Sequence, residues 1–325
     1  MKVIYDHSTL LPHHDDNIVH IHNWKPFEND HRTKDVVLYW GVHFNVSKLD
    51  PKKNNIFVAA EHPGIYFLGK QPGENVARND AYEKVFDHLL TFSLQTSYGR
   101  KGFQFTTHPY DVKHVHDQIG ISDINDVEKD IDVSMCGSCV IGRDHPVEPW
   151  LEVIKKFNYS FSCFTIKEYF KKWHTKQSEV ARSKIHVVWS SFITAPDKCS
   201  NFAKENFPWI KWKKGKEVKN WVTPQFKHRI HDAAAHKCVM LCYKDPFAGQ
   251  DYPHYNSIEH YYEPNVDFLY FEDSEDLERI IKDVLQNFDD PKYKNMVDSA
   301  YDKVLQHTTA KWHEDYIVPL AKREK

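Results

Sequence analysis

Apolar residues fall along the chain in short β-branched or aromatic runs, separated by stretches whose apolar positions recur at helical spacing. The first third holds the runs Lys2–Tyr5, Val36–Trp40, Asn55–Ala60, Leu89–Ser93 and Gly102–Thr106. Further on come Ile131–Met135, Tyr159–Phe164, Ile185–Trp189, Cys238–Cys242 and Phe268–Phe271. Unbroken apolar runs of this length suit strands buried on both faces, as in parallel sheets. Helical patterns lie between them, at Pro146–Phe157, Ile166–His174 and Phe226–His236. Ser274-Glu275-Asp276 supplies a capped acidic first turn, and Leu277, Ile280, Ile281, Val284 and Leu285 then form one apolar stripe. Asp289-Asp290-Pro291 closes that helix and opens another, with Met296, Ala300 and Val304 on one side. Strands alternating with helices predict doubly wound α/β sheets, and ten strands exceed what one such sheet usually carries, so two sheets are predicted. Asp111–Asp130 is polar, rich in Asp and His and without periodicity, and reads as the linker between them.

Composition narrows the class. The 325 residues are 41% hydrophobic and 27% charged, which places the chain among soluble globular proteins and excludes a disordered or collagen-like one. With 43 Lys+Arg against 46 Asp+Glu, the net charge of -3 provides no global basic field for a polyanion. Only 11 glycines are present, so a Gly-rich phosphate cradle would have to be short. The 22 histidines predict a net charge sensitive to pH just below neutrality. Six scattered cysteines are too few for a disulfide framework. The start breaks into charge within a few residues, so no signal peptide is expected, and no apolar run approaches the ~20 residues of a membrane span. A reduced, cytoplasmic setting is the expectation.

The segment richest in chemistry is Phe226-Lys227-His228-Arg229-Ile230-His231-Asp232-Ala233-Ala234-Ala235-His236-Lys237-Cys238-Val239-Met240-Leu241. It reads as helix, tight turn and buried strand. Arg229 and Asp232 are three apart and share a helix face near its start. A cation beside the free amides of a helix start suits a diphosphate. A carboxylate one turn on could accept both hydroxyls of a ribose. A surface Arg–Asp pair on an amphipathic helix is the plainer alternative that spacing alone allows.

This segment resembles the C-terminal domain of GT-B glycosyltransferases, where an Arg-x-x-Glu-Ala-x-Ala helix precedes a strand. The passage from Ile258 to Phe268 looks like the family's second acidic stretch, and Phe271 to Leu277 like its entry into the next helix. Lys129 to Ser138 is similar to the strand and Gly-Ser turn that open the domain, with Arg143 shortly after. The resemblance covers roughly Lys129–Tyr316 and is faint over the first hundred residues. It implies an α/β GT-B fold, with two Rossmann-like doubly wound domains facing across a cleft. The N-terminal domain, 1–120, would bind acceptor, and the C-terminal domain, 121–300, a nucleotide-diphosphate sugar. Residues 301–325 would form a C-terminal helix packing back on the first domain.

By the same resemblance, Asp232 would hold the donor ribose and Arg229 the diphosphate. Gly137 and Ser138 would approach the phosphates through backbone amides, Arg143 and Lys227 would add charge, and Glu259 would lie near the donor. The implied activity is sugar transfer to a hydroxyl, with a glycan as the expected acceptor and with neither metal nor cofactor. The ribose position usually carries Glu rather than Asp, and retaining members place a second Glu where this chain has Pro224, so the stereochemical outcome stays open.

Inverting transfer needs a base for the acceptor hydroxyl. The strand Asn55–Ala60 ends in Glu61-His62-Pro63-Gly64, and ligands bind beyond the carboxyl ends of such strands. Glu61 and His62 are therefore the candidate catalytic residues. The phage DNA β-glucosyltransferases look similar, with a comparable strand ending in Thr-Asp. Cys136-Gly-Ser-Cys139 has redox or zinc spacing but lacks a second pair, and reads as structural. The histidine-rich stretch containing His13, His14, His20 and His22, like His108, His114 and His116, reads as solvated loop. Phe207 to Lys216 interleaves Lys and Trp, a pattern that can grip nucleic acid or lie at a membrane surface. Two alternatives follow: a glycosyltransferase acting on a hydroxymethylated DNA base, and a non-catalytic GT-B binding module.

Overall fold

The computed structural model describes residues 1–6, 21–41, 49–59, 85–92, 103–138, 147–164, 166–189, 191–194, 221–224, 228–244 and 257–321. Two five-stranded parallel sheets carry these residues. The first comprises β1 (Lys2–Asp6), β2 (Val36–Gly41), β3 (Asn54–Ala59), β4 (His88–Thr91) and β5 (Phe103–Phe105), side by side in chain order. Both faces of this sheet are covered, which is why its strands read as continuous apolar runs. Val36, Leu38, Trp40, Ile56, Val58 and Leu90 form one core with the chain's last segment. Val37, Tyr39, Phe57, Ala59 and Leu89 face the other way and pack on Phe86.

After the short helix α1 (Val112–Gln118), the second sheet opens with β6 (Ile131–Ser138). Helix α2 (Val147–Ile154), β7 (Tyr159–Phe164), α3 (Ile166–Ala181) and β8 (Ser183–Val188) follow. An antiparallel pair, β9 (Ser191–Thr194) and β10 (Trp221–Pro224), stands apart before α4 (His228–Ala235) and β11 (Val239–Tyr243). The sheet ends at β12 (Leu269–Phe271), and α5 (Ser274–Gln286) and α6 (Pro291–Val304) follow. Its strand order is β12-β11-β8-β6-β7. The chain thus steps outward from β6 to β7, crosses back over β6 to β8, and continues to β11 and β12. That reversal opens a crevice beyond the carboxyl ends of β6 and β8.

Helices cover both faces of the second sheet. On one, Trp150, Val153 and Ile154 of α2 and Leu277, Ile280, Ile281 and Val284 of α5 pack on Val133, Val187 and Leu241. On the other, Trp173 of α3 and Ala233, Ala234 and Ala235 of α4 pack on Val188 and Met240. The three alanines let α4 lie close between the sheet and Ala300 of α6. Asp273 and Asp290 cap α5 and α6 through the amides of Asp276 and Lys292, as the acidic turns in the sequence predict.

Three features differ from the sequence reading, the first being the pair β9 and β10, which lies beyond the ten expected strands. The stretch read as linker contains α1, with Val112, Val115 and His116 buried, and a 3₁₀ turn at Ile124–Asp126. Its apolar positions are so diluted by Asp and His that the helical period is hidden. Helix α3 runs past His174 to Ala181, because Lys176 and Gln177 occupy positions of its buried stripe between Trp173 and Val180.

The chain closes with α7 (Thr309–Trp312), a π-helical turn (His313–Ile317) and α8 (Val318–Ala321). Trp312, Ile317 and Leu320 belong to the core of the first sheet. The Trp312 ring lies 5.6 Å from that of Trp24 and 5.7 Å from that of Trp40, and its Nε1 donates to Thr106 Oγ1 at 2.5 Å. Outside this core, the Arg32 guanidinium joins Asp30 to Glu314, at 2.6 and 2.5 Å. Because Trp312 fills the centre of an aromatic cluster and donates a buried hydrogen bond, Trp312→Ala should destabilise the protein by about 3–5 kcal/mol, read as a lower midpoint in urea denaturation.

Candidate functional site

The crevice between β6 and β8 is built from the last residues of each strand. Met135 of β6 stands opposite Val187 of β8, so two residues further on Gly137 and Trp189 lie at one level, at the carboxyl edge. Gly137 and Ser138 are the final residues of β6. Helix α4 brings Arg229 to the same edge, and its guanidinium lies 3.9 Å from the centroid of the Trp189 ring. The indole is buried, with Trp150 behind it at 6.0 Å. Trp150 in turn lies 4.6 Å from Tyr243, at the end of β11, and 5.2 Å from Phe271, at the end of β12. A row of aromatic rings therefore underlies the carboxyl ends of β8, β11 and β12, and the Arg229 cation rests on its first member.

Asp232, one turn along α4, faces inward. It is fully buried: Oδ1 accepts from Tyr110 Oη and Gln177 Nε2, each at 2.8 Å, and Oδ2 accepts from Lys176 Nζ at 2.5 Å. Lys176 is itself only 2% exposed. Burial opposes the charge on Asp232, yet Lys176 beside it holds the carboxyl well below the usual carboxylate range. The carboxylate that the sequence resemblance offers to a ribose is here engaged by protein donors. Both oxygens are turned toward protein donors, and nucleoside hydroxyls could reach them only by displacing Lys176, Gln177 or Tyr110. In this geometry Asp232 anchors α4 to α3 and to the segment following β5.

The network continues along α4. Gln177 Oε1 lies 2.7 Å from His236 Nε2, and the His116 ring is stacked on His236 while its Nε2 lies 3.0 Å from the Ala235 carbonyl. Lys129 Nζ donates to the carbonyls of Ala181 and His236. His231 Nδ1 lies 2.6 Å from Tyr262 Oη, and its Nε2 lies 3.2 Å from the His108 carbonyl. Burial pushes the His228, His231 and His236 imidazoles well below their ordinary range, so they are neutral at pH 7. His186, within β8, is lowered to about 3 by burial; its Nδ1 lies 2.8 Å from Ser134 Oγ and its Nε2 3.6 Å from Cys136 Sγ. Most of these histidines are packing groups, contrary to the solvated-loop reading of His22, His108 and His116, all three of which are buried.

Of the other candidates, Glu259 is exposed in the 3₁₀ turn Ser257–His260 and accepts from Tyr270 Oη at 2.7 Å. Glu61, His62, Arg143, Lys227, Cys139 and the Lys/Trp stretch Phe207–Lys216 lie outside the described residues. Sequence reasoning passed over Trp189, Lys176, Gln177 and Tyr110. A signal existed for two of them: a Lys-Gln pair interrupts an apolar helical stripe, and buried polar groups at such positions need partners. Among the described residues, Asp30, His313 and Glu314 gather closely enough to hold a metal ion, but the Arg32 guanidinium already binds both carboxylates. No helix of the described residues is long and apolar enough to cross a membrane.

Residues 217–317 match the sequence model of a family described as glycosyl transferase-like, a span that holds Arg229, Asp232 and Glu259. No curated protein sequence matches the chain. Among solved structures, an alpha-glucosyltransferase bound to UDP and a 13-mer DNA containing an HMU base superposes with a TM-score of 0.54 at 9% identity, covering 89% of this chain and 80% of that one. TarM of S. aureus, crystallised with UDP, gives 0.52 at 10% identity over 90% of this chain and 56% of that one. HepE of Anabaena, with UDP and glucose, gives 0.52 at 8% identity over 89% and 78%. The paired parallel sheets are thus those of the GT-B fold, as the sequence resemblance implies.

The Asp232–Lys176 pair yields a direct test. Asp232→Ala leaves a buried ammonium without its counter-charge and should destabilise the protein by about 3–5 kcal/mol. Adding Lys176→Met to that variant should restore most of the loss, because no charge then remains to desolvate. A double-mutant cycle in urea denaturation measures the coupling.

Proposed function

We propose that this GT-B chain, glycosyl transferase-like over residues 217–317, moves a sugar from a nucleotide-diphosphate donor to a hydroxyl acceptor. The observation that carries the reading is the Arg229 guanidinium held at the carboxyl edge of the second sheet, at the point where strand order reverses. Transfer needs the leaving diphosphate neutralised as the sugar–phosphate bond breaks. Arg229 supplies a fixed positive charge there, and Gly137 and Ser138 at the end of β6, with Arg143 and Lys227, would supply further donors. Because these groups carry the neutralising role, no metal is required by the reading. The neighbouring structures that contain UDP make it the first nucleotide to try.

The acceptor side would come from the first sheet. Residues just past β5 already touch α4: Tyr110 bonds Asp232, and the His108 carbonyl lies against His231. The carboxyl edge of the first sheet therefore faces α4, and Glu61 and His62 come just after β3 in the sequence. In this reading Glu61 removes the proton from the acceptor hydroxyl while the nucleotide diphosphate leaves. The acceptor we favour is a glycan hydroxyl. A hydroxymethylated base in DNA is the second reading, favoured by the similarity to an alpha-glucosyltransferase bound to DNA. Binding to duplex DNA that falls steeply with salt would support it.

The deciding experiment is a thermal-shift panel of UDP, GDP, ADP and TDP with their sugars. A true donor at 100 times its Kd should stabilise the fold by about 2.7 kcal/mol. Failure of every nucleotide to raise Tm would favour a non-catalytic module on this fold. With the donor identified, Glu61→Gln should lower turnover more than tenfold; a smaller change would remove Glu61 from the catalytic role.

A further inference from the structure

We propose that Trp189 is a positioning residue that sets the Arg229 guanidinium for the donor diphosphate, an inference that rests on the donor-binding reading of Arg229. An arginine at a helix start has several rotatable bonds and would ordinarily sample many directions, so an unconstrained guanidinium would lose much of its value for a bound diphosphate. Here the cation lies 3.9 Å from the centroid of an indole that is 3% exposed, a geometry in which attraction to the ring face is strongest when the ring is shielded from water. The indole cannot swing away, because Trp150 backs it at 6.0 Å and is itself braced by Tyr243 and Phe271.

The placement of Trp189 gives this stack its function. It directly follows β8, one of the two strands that flank the reversal of strand order, and it stands level with Gly137 on the other. Its brace, Trp150, belongs to α2, the helix that follows β6, whose last residues are Gly137 and Ser138. One rigid aromatic column therefore links the basic side chain of α4 to that helix. Helix α4 is fixed independently on its inner side, where Asp232 accepts from Lys176, Gln177 and Tyr110. With the helix backbone held through Asp232 and the guanidinium held on the indole, the charge meets the diphosphate with little left to order.

The test uses the full chain with UDP and UMP as probes, in binding titrations that separate the terminal phosphate from the rest of the nucleotide. Trp189→Leu should weaken UDP about tenfold while changing UMP less than twofold, and Trp189→Phe, which keeps a ring face, should recover most of the loss. In an Arg229→Ala background, Trp189→Leu should cost nothing further. Equal weakening of UDP and UMP, or an undiminished loss in the Arg229→Ala background, would overturn the proposal and make Trp189 a packing residue. If Arg229→Ala itself leaves UDP affinity unchanged, the donor reading of Arg229 fails, a different outcome from Trp189→Leu having no effect while Arg229→Ala does. If Trp189→Leu does not fold, the graded comparison of wild type with Trp189→Phe decides: a loss for UDP of two- to threefold with UMP unchanged supports the stack, and no selective loss overturns it.

Discussion

A lysine ammonium stripped of water is tolerated only beside a fixed negative charge, and the pairing of Lys176 with Asp232 is the constraint around which the second half of this protein is arranged. The carboxylate sits on α4, the ammonium on α3, and a third partner, Tyr110, comes from the chain just after the first sheet. One buried anion thus joins three segments that are far apart in sequence. Arg229, three residues earlier on the same face of that helix, lies at the carboxyl edge with its guanidinium packed on the buried Trp189 ring.

The edge at which Arg229 appears is itself set by topology. Had the second sheet run in chain order, as the described strands of the first sheet do, successive crossovers would lie on one face and no crevice would open between adjacent strand ends. The return from β7 across β6 to β8 puts the flanking helices α2 and α3 on opposite faces of the sheet, on either side of the strand ends at Gly137 and Trp189. Similarity to GT-B structures at 8–10% identity shows how little sequence this arrangement requires. What these distant chains share is the strand framework.

The sequence made the strands legible and their neighbours illegible. All ten apolar runs are strands within a few residues of the expected bounds, because strands buried on both faces leave an unbroken signature. Sheet order has no such signature, since it depends on which faces the helices cover. The Arg-x-x-Asp spacing correctly located a helix start at a strand's edge. It could not reveal that Asp232 turns inward, because its partners lie 55, 56 and 122 residues away. Trp189 was equally hidden: at the end of an apolar run it reads as one more core residue, and only the fold places Arg229 above it. Glu259 shows the converse, a position matched by motif whose carboxylate rests in an exposed turn against Tyr270.

Three imidazoles, one pair edge-on and one pair stacked, lie between the first sheet's end, α4 and the chain after α6. His108 lies 6.0 Å from His231, which lies 5.3 Å from His307; the first two are buried and His307 is half-buried. Folding lowers the proton affinity of His231, and lowers His307 to about 4, whereas an unfolded histidine binds a proton near pH 6.5. Between those values the unfolded chain takes up protons that the folded one refuses. Stability is therefore complete above pH 6.5 and erodes as acidity rises toward pH 4, by about 1.4 kcal/mol per pH unit for each such imidazole. Since these rings join the segment after the first sheet to α4 and to the chain after α6, the acid-sensitive part of the stability is concentrated where the two sheets' segments pack together.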